Sequence, residues 1–266
     1  MRIMYPAAAA ALLIGASAQA APTNVPAQQS TIKYSTTGTV TSGFGNYARA
    51  TSKVVYDPVA DTYTVRDTGS LTTTSTFGPA NVNAGASSPT FTVFSKNGGA
   101  ETFRLLNQSA VALTYVDYGE WRRSSTSSGT TSVNDTFLVF GSKTPGAAVP
   151  RTGTGTYSTM YDGNFIDKNG AHALGGTGSM TADFGADSLS YTATITGVPA
   201  GTLAFAGSGS INFAASSFTT TNSTSGYTLS QFGNFYGPAA DEVGGLFRLT
   251  GAPGQGMGQG AFVGHH

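Results

Sequence analysis

Between positions 189 and 196 every second residue is apolar: Leu189, Tyr191, Ala193 and Ile195 alternate with Ser190, Thr192, Thr194 and Thr196. A two-residue period sends successive side chains to opposite faces of an extended chain, so such a segment is a half-buried strand. The pattern recurs at Phe205, Ile211 and Phe213, set against Ser208, Ser210 and Asn212. No stretch carries the 3.6-residue apolar period of an amphipathic helix. Thr with Val, Tyr and Phe is strand composition, and 36 glycines supply tight turns. An all-β chain is predicted.

Residues 151–266 hold about eight strand-like runs separated by turn residues, at 153–161, 176–184, 188–196, 205–213, 218–221, 227–236, 246–250 and 258–264. With one apolar face, these can close into a soluble eight-stranded antiparallel β-barrel filled by its own side chains. The Thr/Ser parity faces water, the reverse of a membrane barrel. Upstream, runs at 32–41, 53–57, 62–66, 70–77, 91–95, 101–106, 111–121 and 136–141 make residues 31–142 a second β-rich domain. Residues 58–61 form a hairpin loop within it. Residues 143–150, with Pro145, Gly146 and Pro150, read as the linker between the two.

Residues 1–20 read as a secretory signal peptide: Arg2, an apolar run at 7–14, then Ala18-Gln19-Ala20. Residues 21–30 read as a disordered lead. The apolar run is shorter than the ~20 residues of a spanning helix, and no later stretch reaches that length. No transmembrane segment is expected after signal removal. Thirteen Lys/Arg balance thirteen Asp/Glu, so no strong field draws nucleic acid. The chain has no cysteine, so no disulfide and no lipid anchor behind the leader are expected. Export to the surface or medium follows, with the periplasm as the second choice.

The densest motif lies near the C-terminus: Gly233-Asn234-Phe235-Tyr236-Gly237-Pro238, then Ala240, Glu242, Gly244, Gly245 and Phe247. Aromatics end one strand, Gly237-Pro238 breaks it, and residues 238–242 can make one helical turn. Gly244-Gly245 then bends the chain into the next strand. Glu242 is expected to accept hydrogen bonds from amides of its own turn. This is a barrel corner.

The corner resembles one in the transferrin-binding protein B-like β-barrel family, which includes secreted haemophore-like and solute-binding proteins. Further blocks in the same order carry the resemblance along the chain: Tyr56-Asp57 to Arg66, Leu113 to Trp121, Phe137 to Gly141, Pro150 to Tyr157, Ala182 to Ala186 and Gly260 to Gly264. It implies an N-terminal handle-like β-domain followed by the barrel. It also implies a non-enzymatic protein that captures a host protein, haem or a small solute for nutrient uptake. Delivery would use an outer-membrane surface-assembly translocon, with a TonB-dependent receptor as a further partner. The absence of a lipobox cysteine departs from the lipoproteins of that family. The alternative is a structural or adhesive β-protein without a small ligand.

Catalytic chemistry finds little footing. The three histidines are His172, expected in a loop, and His265 and His266 at the end. No G-x-S-x-G elbow occurs, and a lone histidine without a nucleophile beside it makes no triad. The pairs Asp57/Asp61, Asp162/Asp167 and Asp183/Asp187 flank expected turns, where Asp caps backbone amides. No catalytic residue, metal site or resident cofactor is predicted. The richest polar-aromatic cluster is Tyr115, Tyr118, Trp121, Arg122 and Arg123. These are hot-spot residue types, and they are the candidate partner surface.

Overall fold

The structure is a computed structural model that describes residues 23–42, 48–67 and 73–266. The expected signal peptide lies outside the described residues. Among the described residues, seventeen strands form two antiparallel sheets. The first contains β1 (Thr23–Thr37), β2 (Val40–Ser42), β3 (Ala48–Asp57), β4 (Thr62–Asp67), β5 (Thr73–Phe77), β6 (Phe91–Lys96), β7 (Glu101–Leu106), β8 (Val116–Ser127) and β9 (Thr130–Gly141). Its order is β5-β4-β3-β1-β9-β8-β7-β6, with β2 folded back on β1. The second is a closed barrel of β10 (Thr154–Asp167), β11 (Gly170–Asp183), β12 (Ser188–Val198), β13 (Gly201–Asn212), β14 (Ser217–Thr224), β15 (Tyr227–Tyr236), β16 (Glu242–Gly251) and β17 (Met257–His265).

Two expectations about the first sheet are corrected. Residues 23–30 are ordered strand, because β1 is inserted between β3 and β9 and bonds to both. Gln29 and Ser30 are buried there. Proline did not prevent this, since only one backbone donor is lost at Pro26. The run at 111–121 becomes strand only from Val116. Residues before it form a 3-10 turn at Gln108–Val111, ended by Ala112 in the left-handed region.

The first sheet curls until its edges meet. On its hollow side Phe77 of β5 stacks 5.4 Å from Phe103 of β7 and lies 6.2 Å from Phe94 of β6. Lys96 spans the gap. Its ammonium sits 4.7 Å from the centre of the Phe77 ring and donates to Ser75 Oγ and the Thr76 carbonyl. An exposed sheet edge is thereby covered.

The barrel follows its alternation closely. The inward set of β12, Leu189, Tyr191, Ala193 and Ile195, is buried in the barrel core with Tyr161, Phe165, Phe247 and Phe262. Its Ser and Thr partners are exposed. Pairing of β17 with β10, from Ser158–His265 to Ile166–Met257, closes the ring. His172 lies within β11, opposite Phe165, rather than in a loop. His265 is the last residue of β17, and the His266 ring packs 4.5 Å from Tyr157.

The outer wall of β10, β15, β16 and β17 is not solvated. Ile166, Tyr236, Leu246, Ala261 and Val263 form one buried cluster with Ile32, Tyr34, Val116, Tyr118, Phe137 and Val139 of the first sheet. The first sheet therefore docks on the outside of the barrel. Residues 142–153 join the two and do not behave as a free linker: Thr144 and Val149 are buried.

Candidate functional site at the seam

The seam between sheet and barrel brings together the most chemically distinctive side chains. Glu242 opens β16 and is 4% exposed. Its carboxylate accepts hydrogen bonds from the backbone N–H groups of Thr114 at 2.6 Å, Tyr115 at 2.8 Å and Val116 at 2.8 Å. The turn at Ala112, with φ of 55°, precedes these three amides. Burial pushes the Glu242 carboxyl above its usual range, the three amides oppose this, and the Asp241 charge adds to it.

Beside it runs a network of charges. Arg104 on β7 donates from Nε and Nη2 to Glu120 Oε2, at 2.9 and 2.6 Å. Its Nη1 donates to Asp162 Oδ1 of β10 at 3.1 Å, and its Nη2 pairs with Asp162 Oδ2. The Tyr118 hydroxyl also donates to Asp162 Oδ2. Asn164 Nδ2 donates to Glu120 Oε1 at 2.8 Å and to Asp135 Oδ2 at 3.2 Å. Arg122 grips both oxygens of Asp135, at 2.6 and 2.8 Å. Ser30 Oγ donates to Gln259 Oε1 at 2.6 Å. Arg104 also lies 4.4 Å over the Phe91 ring.

Two arginines thus face three carboxylates, and each carboxylate is tied to a cation. Burial raises Asp162, with Arg104 opposing it most strongly. Burial likewise raises Asp135, opposed by its hydrogen bond to Arg122. The arginines are held in their charged form by these acids. Buried ion pairs of this kind contribute little net stability against an apolar equivalent, and they lose much when one partner is removed.

The predicted partner surface is therefore corrected. Tyr118 and Trp121 are fully buried. Trp121 packs in the hollow of the first sheet and donates from Nε1 to Glu101 Oε1 at 3.0 Å. Arg122 is spent on Asp135, and Arg123 on Asp67 and on the Trp121 ring. Tyr115 is partly buried against the seam cluster. Along β8, Tyr118 packs in the seam toward the barrel, and Trp121 packs in the hollow of the first sheet. What fails is exposure of the aromatics Tyr118 and Trp121, while the part-exposed arginines are held in ion pairs.

The corner motif is also re-read. No helical turn forms at 238–242. A turn at 237–240 leads directly into β16. Gly237 sits at φ 87°, where Pro238 follows it into the turn. Ala240 is at φ 65°, and its carbonyl accepts the Tyr157 hydroxyl at 2.7 Å. Gly244 and Gly245 lie inside β16, paired with Asn234 and Gly233, and do not bend it. A Cβ on Gly244 would stand 2.6 Å from Val116 Cγ2, so this glycine lets the sheet approach the barrel wall. A Cβ on Gly233 would collide with the Phe218 ring. Phe235 and Phe247 fill the barrel core, and Tyr236 fills the seam. Glu242 ties amides of the other sheet, not of its own turn.

Arg104, Asp135, Asp162 and Asn164 went unpredicted as seam residues. The signal was present on β10, whose outward parity reads Met160, Asp162, Asn164, Ile166 rather than Thr and Ser. Asp57, Asp167 and Asp183 do cap turns, each accepting two backbone N–H groups. Among the described residues no cluster of metal-binding side chains occurs, and no helix is long and apolar enough to cross a membrane.

Two clefts open along the seam. One, of about 440 Å3, lies between β1 and β3 of the sheet and β14 and β15 of the barrel. The other, of about 420 Å3, lies between the 3-10 turn at Gln108–Val111 and β10 and β17.

An open sheet docked on the wall of an eight-stranded barrel defines a two-part β-barrel fold seen in known binding proteins. The chain is similar to a single-site mutant of transferrin binding protein B from Haemophilus parasuis Hp5, with a TM-score of 0.53 and 17% identity over 88% of this chain and 44% of that one. It is similar also to isotype 1 transferrin binding protein B from serogroup B Neisseria meningitidis, with a TM-score of 0.52 and 16% identity over 89% of this chain and 43% of that one. At such identities the likeness is one of fold. The chain spans less than half the length of either protein. No family model and no curated protein matches the sequence.

Proposed function

We propose that the chain is an exported, non-enzymatic binding protein that captures a solute, haem or a host protein for nutrient uptake. The observation that carries this reading is the docked sheet and barrel, whose fold matches transferrin binding protein B along both parts of the chain. A barrel without edges, locked to a sheet by buried hydrogen bonds, is a rigid scaffold. Rigid scaffolds present loops and clefts in fixed geometry, which suits capture. Residues 1–20 serve as the export signal in this reading. Delivery to the surface uses an assembly translocon, and a TonB-dependent receptor accepts the cargo.

The test is a direct binding screen of purified protein against haem, siderophores, cobalamin and transferrin, with fractionation of cells into periplasm, surface and medium. Saturable binding of one of these is expected. Binding of none would sink the capture reading, and recovery from periplasm alone would sink surface delivery.

A structural or adhesive role is the second reading. It is favoured by the hydroxyl pairs across exposed strands, among them Thr37–Thr130, Thr126–Thr131, Thr156–Thr181 and Ser223–Thr228. Self-association or matrix binding with no ligand from the screen would support it.

A further inference from the structure

Half of the barrel wall presents no charge to solvent. The outer faces of β10, β15, β16 and β17 pack into the seam, and β11 to β14 contribute nothing to that cluster. Every exposed residue within β11, β12, β13 and β14 is Thr, Ser, Ala, Gly or Asn. Titratable groups on these strands stand at the rims. Asp183 is half-buried at one end and spends its carboxylate on the amides of Gly185 and Ala186. His172, at the other end, pairs with Asp167. Soluble domains keep roughly a quarter to a third of their surface charged, which holds other molecules off. This wall lacks that barrier.

The wall is also regular. Thr156, Thr181, Ser190 and Ser208 lie side by side on β10 to β13, about 4.8 Å from strand to strand. Along β12, Ser190, Thr192 and Thr194 follow one another on the same exposed face at roughly 6.8 Å. Each hydroxyl can both donate and accept. Neighbouring hydroxyls already meet, as at Thr156 and Thr181, 3.2 Å apart. Short side chains of this kind lose little rotamer freedom on contact, and no ion has to be stripped of its water. None of the exposed residues is aromatic, so no ring offers a stacking platform. A partner matched to such a lattice is uncharged, carries hydroxyls and repeats them along its length.

We propose that the wall of β11 to β14 is a contact surface for an uncharged polysaccharide, which lies along the strands and bonds its hydroxyls to Ser190, Thr192, Thr194 and their neighbours. The proposal goes beyond the capture reading and stands independently of it. A single sugar makes a few hydrogen bonds, each nearly matched by the water it displaces. A chain of sugars keeps the next unit at high local concentration, so the polymer binds where its monomer does not.

The test is electrophoresis of the full chain in native gels that contain hydroxyethyl cellulose, dextran or the acidic polymer alginate, with each mobility compared to that in a polymer-free gel. Retardation by a neutral polymer is expected, with none by alginate, and free glucose at equal mass is expected not to relieve it. The double variant Thr192→Lys/Ser208→Lys, at two exposed positions and checked for an unchanged melting temperature, is expected to abolish retardation. Thr192→Val removes one hydroxyl and keeps the shape, and is expected to weaken binding about threefold. Ser125→Lys, at an exposed position of β8 away from the wall, is expected to leave it unchanged. No retardation by either neutral polymer, stronger retardation by alginate, relief by glucose, or equal retardation of wild type and the double lysine variant would each overturn the proposal. Sedimentation of the wild type as a dimer that the two lysines dissociate would also overturn it, by assigning the wall to a second copy of the chain.

Discussion

The carboxylate of Glu242 accepts a hydrogen bond from the Val116 amide, 126 residues earlier in the chain, at 2.8 Å. With Thr114 and Tyr115 it satisfies three successive amides at the entry to β8. One side chain at the mouth of a barrel strand thereby fixes where β8 begins and how the sheet sits on the barrel.

Glu242→Ala should leave those three amides, one buried and two part-buried, unpaired and cost about 3 kcal/mol. Glu242→Gln keeps one acceptor oxygen and should cost about half as much. Urea unfolding measures both. Equal, near-zero changes would mean that the carboxylate does not hold the seam.

The Arg104–Asp162 pair should show a coupling of about 1–3 kcal/mol in a double-mutant cycle to alanine. Each single variant should lose more than an exposed pair does, because it strands a part-buried charge. Tyr118→Phe should lose about 1 kcal/mol through the hydrogen bond to Asp162. Additive single losses would refute the network.

Gly244→Val should wedge the layers apart, since even a Cβ there meets Val116 at 2.6 Å and Val139 at 3.1 Å. Overpacking of this kind costs about 1–3 kcal/mol. Gly153→Ala, at φ 80° with open space around it, should cost only the backbone strain, about 1–2 kcal/mol. Hydrogen exchange at residues 114–116 should rise in the first variant and not in the second.

Stability should increase as the pH falls from neutral. Asp117 is 4% exposed and, among the described residues, accepts the Tyr118 amide. Burial pushes its carboxyl well up, the amide opposes this, and the Glu242 charge adds to it. A raised folded pKa means the stabilising contribution is complete below the unfolded value of ~3.9 and is lost as pH rises through the folded value. Asp135, Asp162 and Glu242 share the direction. Asp117→Asn should therefore gain stability at about pH 7.5, change little at about pH 4.5 and flatten the slope between them. Urea midpoints at the two pH values check this, and an unchanged slope would refute it.

The barrel could be read from residue order alone. Leu189 to Thr196 alternates without a break, and an antiparallel strand with one wet face has no other way to satisfy that pattern. The corner at Gly237-Pro238 was equally legible, because proline and a left-handed glycine are local constraints. The seam was not. Tyr118, Trp121, Arg122 and Arg123 have the composition of an exposed hot spot, and composition does not say whether a second layer covers them. Asp162 looked like a turn residue because nothing near it in sequence reveals Arg104 and Tyr118, which arrive from strands 58 and 44 positions away.

Local periodicity and turn chemistry thus specify that this chain is all-β and which face of a barrel strand such as β12 turns inward. They act between residues a few positions apart, which is the range a linear sequence displays. The docking of sheet on barrel, the burial of the Tyr118–Asp162 network and the reach of Glu242 to the amides of Thr114, Tyr115 and Val116 depend on contacts between distant segments. Those contacts exist only once both layers have folded, when the apolar outer wall of β10, β16 and β17 has nowhere else to hide from water.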